Sequence, residues 1–301
     1  MDTVTHALTG AAIGYCGFRQ HGGRLALWTT IAAAESPDAD LLMLLGGSET
    51  YLRWHRSFTH SALLLPVWAT VVAGIFWAFS KRGDFKLLWI ASAAGIASHI
   101  LLDWLTSYGT MWLWPVTDRR FELDWVFILD PYVWAMLGVT LWAVLRLRNS
   151  RAAPVGLAIL AGYFLMCGVL HWLALPRRDS GKVAAYAQPL NPFRWTTLHN
   201  SGNTITWSDG METETFTQYH DDVLLPLAEA TDAVKLYRWF ADFPLVERRT
   251  EGRYTVLRYR DLRFRTRLPW GETREGMFVT VKAVFDSSGA LLGAGLASEE
   301  R

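Results

Sequence analysis

Cysteine is nearly absent from this chain: only Cys16 and Cys167 occur in 301 residues, both inside apolar segments. Two isolated cysteines build neither a disulfide framework nor a thiolate zinc site, and they leave the redox compartment open. Charge of one sign is lacking too, since 29 Lys and Arg meet 28 Asp and Glu for a formal charge of +1. Bulk attraction to nucleic acid or another polyanion is thereby excluded. No long apolar run follows Pro176, and no basic region precedes the first apolar stretch, where Asp2 stands instead. A signal peptide is therefore not expected, and membrane segments are expected only in the N-terminal part. An internal repeat of the kind that builds many transporters is also missing.

What is present is apolar surface, 51% of all residues. It concentrates in residues 61–80, 87–106, 125–147 and 152–175, each near the ~20 residues that cross ~30 Å of hydrocarbon. Residues 5–18 and 25–45 are apolar as well but carry His6, Glu35, Asp38 and Asp40. They read as two N-terminal helices embedded among or packed against the spans, the second bent at Ser36-Pro37. The fold class expected over 1–175 is thus an α-helical integral membrane domain with about four full spans.

Beyond Pro176 the pattern changes to alternation, which predicts strands at 204–207, 254–259 and 277–285. Asn200-Ser201-Gly202-Asn203 and Ser287-Ser288-Gly289-Ala290 are turn signals for hairpins, and 227–243 reads as a helix on the sheet. Residues 176–301 are expected to form a small, mostly antiparallel β (α+β) soluble domain. Its Arg258, Arg260, Arg263, Arg265 and Arg267 read as a solvated sheet face, and the domain as a cover or substrate-selection element.

Within the helical part, a span starting after His60 and a return span ending near Thr106 would bring His55, His60, His99 and Asp103 to one membrane face. The turns on the opposite side carry Lys81, Arg82, Lys86, Arg146, Arg148 and Arg151 against the single acid Asp84. Basic residues in short loops favour the cytoplasm, so the histidines and the C-terminal domain are expected on the extracytoplasmic side of the membrane. Arg177, Arg178 and Lys182 weigh the other way.

His99 and Asp103 are four apart, which puts imidazole and carboxylate on one helix face. A pair so placed can chelate a divalent ion. Asp38 and Asp40 sit beside a helix break, His6 stands on a small-residue helix suited to close packing, and His55 and His60 open a span. Imidazole and carboxylate donors without thiolate suit Zn, Mn or Fe. A divalent metal lowers the pKa of water toward ~7 and polarises carbonyl or phosphoryl oxygens, which points to hydrolysis. Glu35 could act as a proton carrier, and Arg56 could meet an anionic group. His21, His171, His199 and His220 read as structural histidines. Asp38 and Asp40 taken alone would read as helix caps, but ionisable residues inside membrane segments are costly and usually functional.

The set His6 in THALTG, Pro37-Asp38-Ala39-Asp40, His55-Arg56-Ser57-Phe58-Thr59-His60-Ser61, and SHILLDWLTSYGT with His99 and Asp103 resembles the bacterial inner-membrane metal-dependent hydrolases of the YdjM/YbcI type. The likeness runs on into Asn191-Pro192-Phe193-Arg194-Trp195. More remotely that family is similar to the zinc-dependent phospholipase C and P1 nuclease group, whose ligand order His6, Asp38 or Asp40, His55 or His60, His99 and Asp103 would match. The remote group also uses a free N-terminal amine and a later His-x-x-x-Glu, neither of which is expected here. One or two metal ions are therefore implied, not three.

The function implied is a bacterial inner-membrane, metal-dependent hydrolase acting on a phosphoester or lipid-linked substrate, with membrane lipids as partners. His6, Asp38, Asp40, His60, His99 and Asp103 would hold the metal, most simply zinc, with His55 or Glu35 moving protons and Arg56 serving the anion. Sequence alone leaves His55 and His60 interchangeable as ligand. The alternative is a non-catalytic membrane scaffold or stress-response partner whose metal serves stability.

Overall fold

The computed structural model describes all residues except 81–82, 150, 178–179, 220–221, 269, 275–279 and 298–301. His220, Lys81, Arg82, Arg178 and positions 277–279 of the last expected strand thus lie outside the described residues. The chain parts into two compact units, Met1–Met43 with Trp54–Leu170, and Leu44–Arg53 with His171–Arg301.

The N-terminal half is helical. Helix α1 (Thr3–Ile13) passes through a π turn (Gly14–Phe18) into α2 (Arg19–Glu35), and the chain continues as a 3-10 helix (Ser36–Gly46). After α3 (Ser48–Trp54) and a short 3-10 turn (Phe58–His60) come α4 (Leu65–Ser80), α5 (Phe85–Trp104), α6 (Pro131–Arg146) and α7 (Ala152–Ala174). Aspartates start three of these helices: Asp2 accepts from Thr5 N, Asp84 from Lys86 N, and Asp130 from Tyr132 N and Val133 N. Each satisfies amides that have no partner within the first helical turn.

The expected count of four full spans is not what forms. Among the described residues two helices, Phe85–Trp104 and Ala152–Ala174, are long and apolar enough to cross a membrane. A third span is possible only if Ser48–His60 and Leu65–Ser80, bent by 82°, count as one. The span expected at 125–147 fails because its first residues are not helical. Leu123 N donates to Trp104 O and Trp125 N to Leu105 O, tying this stretch to the end of α5. Helix α6 then starts at Asp130-Pro131 and has 16 residues, roughly 24 Å at 1.5 Å per residue, short of a bilayer core.

Small residues set how closely the helices approach. A Cβ on Gly95 of α5 would lie 2.6 Å from Thr30 O and 2.9 Å from Ala34 N of α2, and one on Gly10 of α1 would lie 2.7 Å from Ala34 Cβ. The backbone of α2 is therefore pressed between α1 and α5, the kind of contact small residues permit. Gly95→Ala is expected to force α2 and α5 apart and lower stability by about 1–3 kcal/mol through overpacking. Thermal unfolding in detergent checks it; an unchanged midpoint would mean that the two helices do not need this close contact.

The second unit contains a small antiparallel β domain. One sheet has the order β1-β2-β3-β4, formed by β1 (Lys182–Gln188), β2 (Asn191–Asn200), β3 (Thr204–Ser208) and β4 (Thr213–Thr217). Two helices follow, α8 (Leu225–Glu229) and α9 (Asp232–Phe240), separated where the Thr231 hydroxyl caps α9, so the expected single helix is split. Then come β5 (Pro244–Glu251), β6 (Tyr254–Asp261), β7 (Thr266–Arg267), β8 (Thr273–Arg274), β9 (Thr280–Phe285) and β10 (Leu291–Ala297). The second sheet runs β10-β9-β6-β5, and β7 pairs with β8. Helix α9 buries Val234 and Tyr237 against Leu257, Tyr259, Val281 and Phe285.

The arginine series is not a solvated face. Arg260, Arg263 and Arg265 are buried. Strand β6 ends at Asp261 and a 3-10 turn over Leu262–Phe264 breaks the alternation, so the later side chains turn onto aromatic rings. Arg263 stacks 4.5 Å from the Phe264 centroid and Arg265 4.8 Å from that of Trp207. Ion pairs to Glu247 from Arg260, to Asp261 from Arg263 and to Glu214 from Arg265 complete the set. Aromatic faces and paired carboxylates make burial of guanidinium stems tolerable.

Candidate metal centre

Four residues from three elements of the helical half converge on one point. Helix α5 presents His99 and Asp103 one turn apart, the 3-10 helix after α2 presents Asp38, and the short 3-10 turn before α4 presents His60. One donor atom from each of these four lies within 4.8 Å of all the others. His60 Nε2 is 3.0 Å from His99 Nε2, 3.2 Å from Asp103 Oδ2 and 3.6 Å from Asp38 Oδ1. His99 Nε2 is 3.5 Å from both carboxylates. Ligands at 2.0–2.1 Å around a tetrahedral ion would stand roughly 3.3 Å apart, and the five distances bracket that figure.

The outer nitrogens decide which way the rings face. His99 Nδ1 lies 2.6 Å from Ala34 O, an acceptor with no hydrogen to give, so Nδ1 carries the proton and Nε2 offers a lone pair. His60 Nδ1 lies 2.9 Å from Thr59 Oγ1 and 3.3 Å from Asp40 Oδ2, which likewise turns its lone pair inward. Two lone pairs facing each other beside two carboxylates repel unless a cation stands between them. The donor set therefore fits a divalent metal.

The remaining sequence-predicted residues surround this group. His6 of α1 stacks on the His99 ring at 3.6 Å and its Nε2 is 3.3 Å from Asp103 Oδ1. Both His6 nitrogens are buried without a hydrogen-bond partner. Asp40 sits behind the group, accepting from Arg56 N at 2.8 Å and Thr59 Oγ1 at 3.1 Å, with His55 Nδ1 at 2.9 Å. The four-residue group thus includes His60, while His55 rests on Asp40. Arg56 is buried with its Nε 2.9 Å from Asp103 Oδ2 and its Nη1 donating to Thr106 Oγ1 at 3.0 Å. Its φ of 59° lies in the left-handed region that side chains with a Cβ rarely adopt. The bonds from its amide to Asp40 and from Met111 N to its carbonyl hold it there.

Burial lifts the Glu35 carboxyl to about 7, with His99 pulling against that lift and Asp38 adding to it. Two contacts were not legible in the sequence: the Met1 nitrogen on Asp103, and Tyr108 beneath the Arg56 guanidinium at 5.0 Å. Tyr108 stands in the SHILLDWLTSYGT stretch, but its spacing does not tell that it meets Arg56, and the Met1 nitrogen at Asp103 corrects the expectation that no N-terminal amine reaches the site.

A family model described as YdjM inner membrane protein matches residues 1–174. The uncharacterized protein YfhP of Bacillus subtilis (strain 168) is 26% identical over 175 residues, 56% of this chain and 52% of that protein. The chain thus spans about half the length of YfhP. The inner membrane protein YbcI of Escherichia coli (strain K12) is 35% identical over 129 residues, 40% of this chain and 72% of that protein. No solved structure matches. The remoter likeness to zinc phosphoesterases stands outside these matches.

Proposed function

We propose, from the premise that this chain belongs to the YdjM inner membrane protein family, that it is a metal-dependent hydrolase of a phosphoester or lipid-linked substrate. The observation that carries the reading is the convergence of four donors, from Asp38, His60, His99 and Asp103, within 4.8 Å of one another. Those residues would hold a divalent ion, most simply zinc, and His6 beside Asp103 would extend the site toward a second. When bound, the ion would supply a Lewis acid and an activated water.

The chain's own residues supply the rest. Asp40 orients His60 through its outer nitrogen, and Ala34 O does the same for His99. Arg56 holds Asp103 in place, and Glu35, with a pKa near 7, is suited to carry a proton at neutral pH. One feature favours catalysis over a structural metal. Three of the four donors are fully buried, whereas the Asp38 side chain is 30% exposed, and a site that stays accessible at one donor differs from the closed shell of structural zinc. The basic turns opposite the histidines support an extracytoplasmic site.

Asp103→Asn separates the two readings. Purified wild type reconstituted with Zn²⁺ or Mn²⁺ is expected to hydrolyse phosphomonoesters or phosphodiesters, tested on p-nitrophenyl esters and on phospholipid vesicles, and the variant to lose at least about 10²-fold while remaining folded. Metal-loaded wild type inert on every phosphoester and lipid tried would turn the reading toward the structural alternative.

A further inference from the structure

The 3-10 helix that carries Asp38 and Asp40 is eleven residues long, Ser36–Gly46, whereas such helices seldom exceed four. Side chains three apart eclipse one another in this geometry, so the segment has three rows. Pro37 and Asp40 are buried and Met43 half-buried, which makes their row the inward one. The second row is Asp38, Leu41 and Leu44; the third is Ala39, Leu42 and Leu45. Leu41, Leu42, Leu44 and Leu45 are 56%, 65%, 47% and 88% exposed. The second row therefore runs from exposed leucines straight to the one donor of the metal centre that is not fully buried.

Water is a poor partner for four adjacent leucines. Hydrocarbon is a good one, and two observations place it here. His99 and Asp103 occupy the last turns of the span Phe85–Trp104, so the centre lies at the level of one end of a membrane helix. Directly after His60, α4 exposes Val67, Val71, Ile75 and Phe79 at four-residue spacing, a stripe of the kind that faces lipid.

From this arrangement we infer that Leu41, Leu42, Leu44 and Leu45 lie in the bilayer and guide the hydrocarbon chains of a membrane lipid, whose polar headgroup ester is delivered past Asp38 to the centre. The substrate class is an amphiphile entering sideways from the membrane, not a solute entering from water. The inference rests on the metal-centre reading and deepens it.

Single nitroxides at Leu42 and Leu45, in full-length protein with Cys16→Ser and Cys167→Ala and reconstituted in phospholipid nanodiscs, test it by power saturation. Oxygen is expected to relax both labels several-fold more than a water-soluble nickel chelate does, as at a label on Val71, with the order reversed at Thr215. In parallel, a phospholipid carrying a diazirine in its acyl chain should cross-link to the 36–53 segment, and L41S/L42S/L44S/L45S should reduce that at least fivefold at unchanged metal content. Labels more accessible to nickel than to oxygen, or cross-linking indifferent to the four substitutions, overturn lateral entry. Metal content, read on the same samples, tells the two failures apart: labels open to nickel with metal retained defeat only the inference, while wild type that binds no added Zn²⁺ or Mn²⁺ defeats the parent reading and this inference with it.

Discussion

His99→Ala and His60→Ala are each expected to strip the bound divalent ion from the purified protein, from near one equivalent per chain to a trace, at a loss of at least about 100-fold in affinity. The size follows from geometry. Each imidazole has its outer nitrogen already committed, His99 to Ala34 O and His60 to Thr59 and Asp40, so its inner nitrogen is held facing the other donors. Asp40→Asn should be milder, about 10–100-fold, because Asp40 orients His60 and keeps bonds to Arg56 N and Thr59. Metal analysis by mass spectrometry after exhaustive dialysis, with circular dichroism to confirm folding, reads both effects. Equal metal in wild type and in both histidine variants would mean that the ion is held elsewhere.

Arg56→Ala is the second large effect, and it concerns stability. Arg56 and Asp103 are both buried and paired at 2.9 Å. Removing one member of such a pair leaves the other charge uncompensated, at a cost of about 3–5 kcal/mol. Arg56→Lys should recover only part of it, since an ammonium cannot bond to Thr106 and stack on Tyr108 as the planar guanidinium does. Denaturation in detergent, with Asp103→Asn and the double variant completing a thermodynamic cycle, gives the coupling between the two residues. A loss under about 1 kcal/mol on metal-free protein would show that Asp103 does not depend on Arg56.

Some of the site can be read along the chain because it depends on local spacing. His99 and Asp103 share a helix face by periodicity, and the break at Ser36-Pro37 marks where α2 stops. Arg56 illustrates the opposite case. Beside two histidines at the mouth of an apolar run it reads as a group for an external anion, yet its left-handed backbone and its bond to Asp103, 47 positions away, turn it inward. Asp40 differs from Asp38 by two positions in the same motif. Only the three-residue repeat of the 3-10 helix sends one carboxylate behind His60 and the other to the group itself.

The span count shows how far hydropathy reaches. Residues 125–147 are apolar enough to be taken for a full span, but hydrophobicity does not report that Trp125 and Val126 bond to Leu105 O or that Asp130 starts a new helix. The arginines of the C-terminal domain repeat the lesson in a strand. Alternation at Arg258 and Arg260 belongs to β6, and the turn after Asp261 ends the register, so Arg263 and Arg265 pack on rings instead of facing water.

By itself the amino-acid order determined a helical, membrane-embedded half, an antiparallel β half, and a supply of imidazole and carboxylate donors without thiolate, because hydropathy, periodicity and ligand chemistry are properties of short segments. Tertiary structure alone decided that His60, not His55, joins Asp38, His99 and Asp103, that Asp40 and Arg56 face inward, and that the accessible donor opens on a row of leucines. Those choices arise from contacts between residues tens of positions apart, where close packing at Gly10 and Gly95 sets which backbone oxygen meets which ring.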